Sequence, residues 1–198
     1  MANHILALDL ETTGLPEDKP SVVEIGCVHY NGEERVSEFS VKFQPDWYKN
    51  ISLGALRVTK TDLEDFSARP EADTGAIKFV SYLVNDVFPI TGSKQIKILG
   101  QNVAFDVQLL RKYLKRHKVT GWQYIFNHGV IDTSSIGNFL REAGLIELEK
   151  MSLELLAEFF KLEVKKELLH TGLYDADLSA RVYFAALKLV RDLKNGKN

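Results

Sequence analysis

The sequence is poor in several features that define particular protein classes. Its 198 residues include one cysteine, Cys27, which excludes an internal disulfide framework and a cysteine-rich zinc site. Such low cysteine use favours a reducing compartment, and we expect the chain to be cytoplasmic. Neither sign of charge dominates, because 25 Lys and Arg residues stand against 27 Asp and Glu residues. The resulting net charge of −2 argues against the wrapping of long duplexes by bulk electrostatics.

Long hydrophobic runs are also missing. The N-terminal apolar run, Ile5 to Leu8, is too short for the core of a signal peptide. No stretch approaches the length of a membrane-spanning helix, so we expect no membrane association. Hydrophobic residues nevertheless make up 45% of the chain, which is ordinary for a globular protein. We expect a single domain over residues 1–194 and a frayed tail over residues 195–198.

The first part of the chain has the pattern of three strands. Ile5–Leu8 is typical of a central, buried strand. A second strand is predicted over Val22–Tyr30, and Asn31-Gly32 after it is a strong hairpin signal. Apolar residues alternate with polar ones from Phe39 to Phe43. The chain is therefore predicted to open with an antiparallel meander.

The rest of the chain alternates between helical and extended patterns. Residues 44–70 are expected to be irregular apart from one possible short helix, and short strands are predicted at Ile96–Leu99 and Val130-Ile131. The combination predicts an α/β fold, a mixed five-stranded sheet with three antiparallel strands first, flanked by helices. Apolar residues at helical spacing predict four helices. They contain the segments Ala76 to Val87, Val103 to Leu114, Leu153 to Phe160 (with Ser152 as N-cap) and Leu178 to Leu189.

Two carboxylates follow the first strand. Asp9 and Glu11 are two residues apart and therefore project from the same face of the strand. Carboxylates side by side repel each other, and they stay ionised readily only when a cation lies between them. Their oxygen atoms suit Mg²⁺ or Mn²⁺. Taken alone, the pair fits equally well a strand that simply ends in solvent.

Two further acids begin helices. Asp106 lies on the apolar face of Leu109 and Leu110, where a carboxylate needs a partner, although alone it fits an acid that stabilises a helix N-terminus. Asp175 opens the last helix and points toward the core, where an unpaired carboxylate is unfavourable. His170 lies in the preceding loop, and alone it fits an ordinary surface histidine.

Together these segments resemble the motifs of the DnaQ-like 3′–5′ exonucleases of the DEDDh group, which share an RNase H-like fold. The first motif matches residues 9–14 and the second matches residues 102–106. The third, a histidine shortly before an aspartate, matches His170 and Asp175. The related DEDDy group has a tyrosine where this chain has Thr171, so that group does not fit.

The resemblance implies hydrolysis of phosphodiester bonds with two divalent metal ions, Mg²⁺ or Mn²⁺, as cofactors. In this family pattern His170 deprotonates the attacking water. We expect its loop to move, with Gly172 supplying the freedom. Four carboxylates and two divalent ions are nearly neutral together, so the loaded site accepts an anionic phosphate. The metal ligands would be the four acids of the motifs, Asp9, Glu11, Asp106 and Asp175.

The resemblance also implies contacts with substrate. The terminal 3′-hydroxyl would contact the backbone around Leu10, Thr12 and Thr13. Asp132 is interpreted as structural. Apolar side chains for packing on the terminal bases are Leu15, Leu56 and Phe105.

Two positions depart from the family pattern. Gln101 stands where a histidine is frequent, and residues 59–61 replace a His-Gly-Ile-like segment of the substrate-contacting loop. Neither departure touches a predicted catalytic carboxylate. The second leaves the details of substrate binding open.

The expected function is the release of nucleoside monophosphates from single-stranded DNA 3′ ends, in proofreading or repair. Because no polymerase domain is recognisable, proofreading would need a DNA polymerase subunit as partner. The alternatives are a 3′–5′ exoribonuclease of the oligoribonuclease or RNase T type, and a non-catalytic module that binds a polymerase. Basic residues from Arg111 to Lys118 fit a contact with nucleic acid or a partner, but a solvated helix face is favoured. The remaining histidines show no metal-ligand spacing.

Overall fold

The computed structural model describes residues 4–15, 19–59, 61–92, 96–120 and 126–196, the side chains of residues 126–128 excepted. Lys60, the middle residue of the second family departure, therefore lies outside the described residues, as does the end of the predicted tail, residues 197–198.

Five strands form one mixed sheet in the order β3-β2-β1-β4-β5. The antiparallel meander consists of β1 (His4–Thr12), β2 (Val22–Asn31) and β3 (Glu34–Lys42). The two later strands, β4 (Ile96–Gly100) and β5 (Phe126–Asp132), are parallel to β1 and to β4 respectively. This arrangement confirms the predicted fold class.

The predicted hairpin joins β2 to β3. Asn31 pairs with Glu34, and Gly32 in the turn between them has a φ of 65°. This left-handed conformation is readily available to glycine and unfavourable for most other residues. The third strand ends one residue before Phe43, which the alternation had included.

Helices cover both faces of the sheet. The even-numbered side chains of β1 pack against α3 (Ala72–Tyr82) and α5 (Val103–Arg116), and its odd-numbered side chains pack against α8 (Gly172–Lys194). Because β1 is buried on both faces, it has the continuous apolar sequence that predicted it. The remaining helical segments are α1 (Leu53–Val58), α2 (Leu63–Ser67), α4 (Phe88–Thr91), α6 (Thr133–Glu142), α7 (Leu153–Phe159), a π-helical turn (Leu83–Val87) and a 3₁₀ turn (Tyr48–Asn50).

The helices differ from the prediction at two places. The segment from residue 44 to residue 70 contains two short helices, α1 and α2, instead of one. The sequence pattern also missed α6, a short helix whose first six residues include several poor helix formers: Thr133, Ser134, Ser135, Gly137 and Asn138. By contrast, Ser152 is the predicted N-cap of α7, because its hydroxyl accepts a hydrogen bond from the N–H of Leu155.

Candidate active site

The end of β1 presents two carboxylates on one face of the sheet. Asp9 and Glu11 lie on the face that α8 covers, together with the other odd-numbered residues of the strand. On the neighbouring β2, Gly26 lies opposite Asp9 and Glu24 lies opposite Glu11. The alternation along β1 therefore sends both acids toward the start of α8.

A third carboxylate comes from the first turn of α8. Asp175 is 9% exposed, and its Oδ2 accepts a hydrogen bond from the N–H of His170 at 3.0 Å. Carboxylate oxygens of Asp9, Glu11 and Asp175 lie within 4.8 Å of one another. The fold thus brings together acids separated by more than 160 positions in the sequence.

The fourth predicted acid reaches the same strand end from the opposite face of the sheet. Asp106, in the first turn of α5, is 4% exposed. Its Oδ1 accepts a hydrogen bond from the backbone N–H of Leu10 at 3.1 Å. Since Leu10 lies between Asp9 and Glu11, Asp106 borders the three-carboxylate group without belonging to it.

Burial and mutual repulsion raise the pKa values of Asp9 and Glu11. Burial, followed by repulsion from Asp106 and Glu11, raises the pKa of Asp9 well above its ordinary range. Burial is also the main reason that the pKa of Glu11 rises to about 7, and Glu24 adds the largest repulsion. A cation at this position would relieve the repulsion, because it stabilises every ionised carboxylate near it.

In the other two acids, backbone hydrogen bonds oppose the effect of burial on the pKa. Burial raises the pKa of Asp106 to about 7, against the N–H of Leu10. It raises the pKa of Asp175 to about 6, against the N–H of His170. Both hydrogen bonds favour the charged carboxylate, which is the form that binds a metal ion.

A fifth carboxylate, Glu24, belongs to this region and was not among the predicted site residues. It is 4% exposed, and its Oε1 accepts a hydrogen bond from the N–H of Gly172, the first residue of α8, at 3.2 Å. Its Oε2 lies 3.5 Å from Nζ of Lys42. Glu24 therefore holds the start of the helix that carries Asp175. The available signal was an acid inside the otherwise apolar start of β2.

The start of α8 packs directly on the backbone of β2. A Cβ atom at Gly26 would lie 2.0 Å from the carbonyl carbon of Gly172, so no side chain fits between the two segments. Gly172 is itself buried within the helix. The expectation that Gly172 gives the His170 loop freedom is therefore wrong, because this glycine serves close packing instead.

His170 lies two residues before α8, and its side chain is exposed to solvent. Its φ of 66° is in the left-handed region, which directs the chain sharply into the helix. Its positive charge works against the rise in the pKa of Asp175. The structure thus places the predicted general base beside the carboxylates and leaves its imidazole accessible.

The backbone expected to bind the 3′-hydroxyl is already partly engaged. The N–H of Leu10 donates to a carboxylate, as described above, and the N–H of Thr13 donates to the carbonyl of Ser21 at 3.0 Å. Thr12 is half-buried, and its hydroxyl donates to the carbonyl of Gly14 at 2.9 Å. These bonds hold the strand end in place, so a substrate hydroxyl would have to share donors with the protein.

The three apolar residues predicted to contact bases differ in exposure. Leu15 is 62% exposed. Leu56 is half-buried and lines an open groove of about 490 Å³ between α1 and α2. Phe105 packs in part against the core formed by α3, α5 and β1. The first two therefore offer apolar surface to a ligand, and Phe105 divides its surface between the core and solvent.

Asp132 has the structural surroundings expected of it. Its Oδ1 accepts hydrogen bonds from the N–H of Ser134, at the start of α6, and from the N–H of Asn102, at 2.9 and 3.1 Å. These bonds hold the turn that leads to Asp106. Gln101, the first departure from the family pattern, bonds to α6 and to the loop before α7.

Comparison with known proteins identifies the family. A family model for exonucleases of the RNase T type matches residues 6–183. The chain belongs to this exonuclease family. The matched region contains the four acids and His170 on which the resemblance to the DEDDh group rests.

Relatives of this exonuclease are DNA polymerase III proteins. It is 24% identical over 188 residues to the PolC-type DNA polymerase III of Thermotoga maritima, a match that covers 95% of this chain and 12% of the polymerase. It is 25% identical over 182 residues to the DNA polymerase III epsilon subunit of Rickettsia prowazekii, covering 91% of this chain and 72% of the subunit. The exonuclease therefore spans a small part of the PolC-type polymerases and most of the epsilon subunit.

Solved structures share the fold at low sequence identity. The cell-death related nuclease CRN-4 superposes with a TM-score of 0.75 at 14% identity, over 95% of this exonuclease and 64% of that chain. E. coli exonuclease I in complex with a dT13 oligonucleotide superposes with a TM-score of 0.71 at 18% identity. The match covers 97% of this exonuclease and 42% of that chain. The nuclease domain of 3′hExo, a DEDDh family member bound to rAMP, superposes with a TM-score of 0.67 at 15% identity. The match covers 98% of this exonuclease and 94% of that chain.

The donor set of this exonuclease fits the divalent metals that the DEDDh family uses. Three carboxylates converge, and Oδ1 of Asp175 is buried without a hydrogen-bond partner among the described residues. Such an oxygen is unfavourable unless a cation or a proton satisfies it.

Among the helices that the structure describes, none has the length and apolar character needed to cross a membrane.

Proposed function

We propose that this exonuclease releases nucleoside monophosphates from the 3′ ends of single-stranded DNA, using two Mg²⁺ or Mn²⁺ ions. The observation that carries the proposal is the convergence of Asp9, Glu11 and Asp175 within 4.8 Å, with Asp106 at the same strand end. Carboxylate oxygens are the ligands that these hard cations prefer. Burial, and after it repulsion between the acids, disfavours their ionised forms, which such cations would stabilise.

Each acid has a distinct part in this proposal. Asp9, Glu11 and Asp175 would hold one ion, and Asp106 together with Asp9 would hold the second. The ions, when bound, stabilise the negative charge that develops on the scissile phosphate and favour ionisation of the attacking water. His170 accepts the proton of that water at its exposed imidazole. Glu24 keeps Asp175 in place through the first N–H of α8.

The nature of the relatives supports DNA as substrate and a polymerase as partner. The matched proteins are PolC-type polymerases and epsilon subunits of DNA polymerase III, and exonuclease I was crystallised with a DNA oligonucleotide. We propose that the exonuclease proofreads or repairs DNA in association with a polymerase subunit.

The alternative substrate, RNA, is supported by the likeness to 3′hExo bound to rAMP. The non-catalytic alternative predicts loss of site residues, and all four acids are present.

Matched DNA and RNA oligonucleotides with a 5′ label test the substrate and the polarity together. We expect a ladder that shortens from the 3′ end, faster for DNA than for RNA, in Mg²⁺ or Mn²⁺ but not in EDTA. A 3′-phosphate should block the reaction. Internal cleavage of a circular single strand would contradict the exonuclease assignment, and faster decay of RNA would favour the alternative substrate.

The variant Asp175→Asn tests the metal assignment in the same assay. It keeps an oxygen that can accept the hydrogen bond from His170 but removes a charged ligand. We expect turnover to fall at least a hundredfold at saturating Mg²⁺, while the fold is retained. Activity above about a tenth of wild type would contradict the assignment of Asp175 as a metal ligand.

A further inference from the structure

A lysine borders the carboxylates on the α8 face of the sheet. Glu11 on β1 pairs with Glu24 on β2, and Glu24 pairs in turn with Lys42, the last residue of β3. Residues paired across antiparallel strands project from the same face, so the three side chains form one row across the sheet. Adjacent strands lie about 4.8 Å apart, which puts the backbone of Lys42 about 10 Å from that of Glu11.

The side chain of Lys42 points along this row toward the carboxylates. Its Nζ lies 3.5 Å from Oε2 of Glu24. Burial is the main cause of the raised pKa of Glu11, and the positive charge of Lys42 opposes it. The Lys42 side chain is nevertheless 51% exposed, whereas that of Glu24 is 6% exposed. Because an ammonium group has three N–H donors, Lys42 can contact Glu24 and a ligand from solvent at the same time.

The charge balance of the metal-loaded site depends on Lys42. Two divalent ions would offset the four acids of the proposed metal site, but Glu24 adds a further carboxylate beside them. Lys42 offsets this additional charge through its contact with Glu24. Without Lys42 the loaded site would present a net negative charge to an anionic phosphate, and the repulsion would weaken binding.

We propose that Lys42 is a substrate-binding residue that contacts a phosphate of the strand close to the reacting one. A nucleic-acid strand carries one phosphate per roughly 3.4 Å even when its bases are stacked, so the row spans at most about three phosphates. Lysine contacts with phosphate carry no sequence information, so the contact would strengthen the binding of any sequence. This inference rests on the proposed function, because it takes the reacting phosphate to lie at the carboxylates.

The variant Lys42→Met, with Lys97→Met as matched control, tests the proposal. Both lysines are exposed strand residues, but Lys97 pairs with Ile5 and so lies at the opposite end of the sheet. The substrates are oligothymidylates of two, four and six nucleotides without terminal phosphates, so that the dinucleotide has the reacting phosphate alone. Lys42→Met should raise KM for the four- and six-nucleotide substrates about three- to tenfold with little change in kcat. The KM for the dinucleotide should change less than about twofold, and Lys97→Met should match the wild type on every substrate.

Two further variants separate charge from structure. Lys42→Arg keeps the positive charge and should retain the wild-type KM. Lys42→Gln is a second neutral variant, whose polar side chain suits the exposed edge strand β3, and it should behave as Lys42→Met does. If Lys42 acted only by holding Glu24, and through it Asp175, its loss would instead lower kcat on every substrate, the dinucleotide included.

The salt dependence provides a second readout. Loss of one phosphate contact should make the plot of log(kcat/KM) against log[salt] for the hexanucleotide shallower by up to about 0.7. Equal effects of Lys42→Met and Lys97→Met, an equal effect on the dinucleotide and on longer substrates, or a raised KM in Lys42→Arg would overturn the proposed contact. A wild-type enzyme that degraded no oligonucleotide would instead contradict the proposed function itself.

Discussion

At the scale of single residues, the backbone and the side chain of His170 have different surroundings. Its N–H donates to Asp175, while its imidazole remains exposed. The bond that positions the carboxylate therefore does not depend on the imidazole. Substitution of this side chain removes its chemistry and retains the backbone contact.

The variant His170→Ala should lower kcat by about 10²- to 10⁴-fold, the usual contribution of a positioned general base. The rate of the wild-type enzyme should rise with pH as the imidazole loses its proton, and the variant should lack this limb. Measurement of kcat against pH at saturating Mg²⁺ gives both results. His170→Asn is a second variant, because asparagine tolerates the positive φ at this position. An unchanged pH–rate profile in both variants would remove His170 from the mechanism.

Asp9 and Glu11 could be predicted from local sequence, whereas the position of Glu24 depends on contacts between distant segments. Asp9 and Glu11 share a face because of an alternation that any strand imposes. Glu24 acquires its place from the antiparallel register that sets it opposite Glu11 and from the docking of α8 on β2. The strand register and the docking of α8 cannot be predicted from the residues near Glu24. The only local indication that Glu24 belongs to the site was its position within a buried strand.

At the scale of secondary-structure elements, the contact between β2 and the start of α8 sets the position of Asp175. Gly26 and Gly172 allow the two backbones to approach until a methyl group no longer fits between them. The same helix start is bound by Glu24. Small displacements here would therefore move a carboxylate of the site.

The variant Gly26→Ala should force α8 away from the sheet and thereby separate Asp175 from Asp9. We expect a loss of more than about 2 kcal/mol in the free energy of unfolding, in the range of overpacked cores, together with at least a tenfold loss of activity. Thermal unfolding and the oligonucleotide assay measure the two effects. Gly54→Ala is the control, because the nearest atom to its Cβ would be Oγ of Ser52 at 3.4 Å. Equal stability of the two variants would show that α8 adjusts freely.

The order of elements was largely predictable because strong local patterns specify it. The apolar run of β1 and the Asn31-Gly32 turn each indicate one structure. The helix α6 was missed because it is short and carries only three large apolar residues, Ile136, Phe139 and Leu140, among poor helix formers. The boundary of the domain at residue 194 and the frayed tail remain predictions.

At the scale of the whole molecule, the carboxylate cluster should make the metal-free protein sensitive to pH. Glu11 and Asp106 have pKa values raised to about 7, above those of the unfolded chain. The folded state therefore binds more protons than the unfolded state between about pH 4 and pH 8, and stability falls as pH rises through this range. His29 acts in the opposite sense below pH 6.5, because burial lowers its pKa to about 4.

Thermal unfolding in EDTA should accordingly show lower stability at pH 8.5 than at pH 6.5, by about 1 kcal/mol for each of the two carboxylates. Saturating Mg²⁺ should raise the melting temperature most at pH 8.5, where the acids are ionised and their repulsion is greatest. The variant Asp106→Asn should flatten the dependence in EDTA. A metal-free protein that became more stable from pH 6.5 to pH 8.5 would contradict the electrostatics described for the cluster.

The four acids come from both faces of β1: Asp106 from the α5 layer, Asp175 from the α8 layer, and the other two from the strand between them. A chain in which either helical layer has not yet docked lacks one of these ligands. Newly made or partly unfolded molecules therefore have an incomplete site. If these acids are the metal ligands, nuclease activity belongs only to molecules in which both helical layers have docked on the sheet.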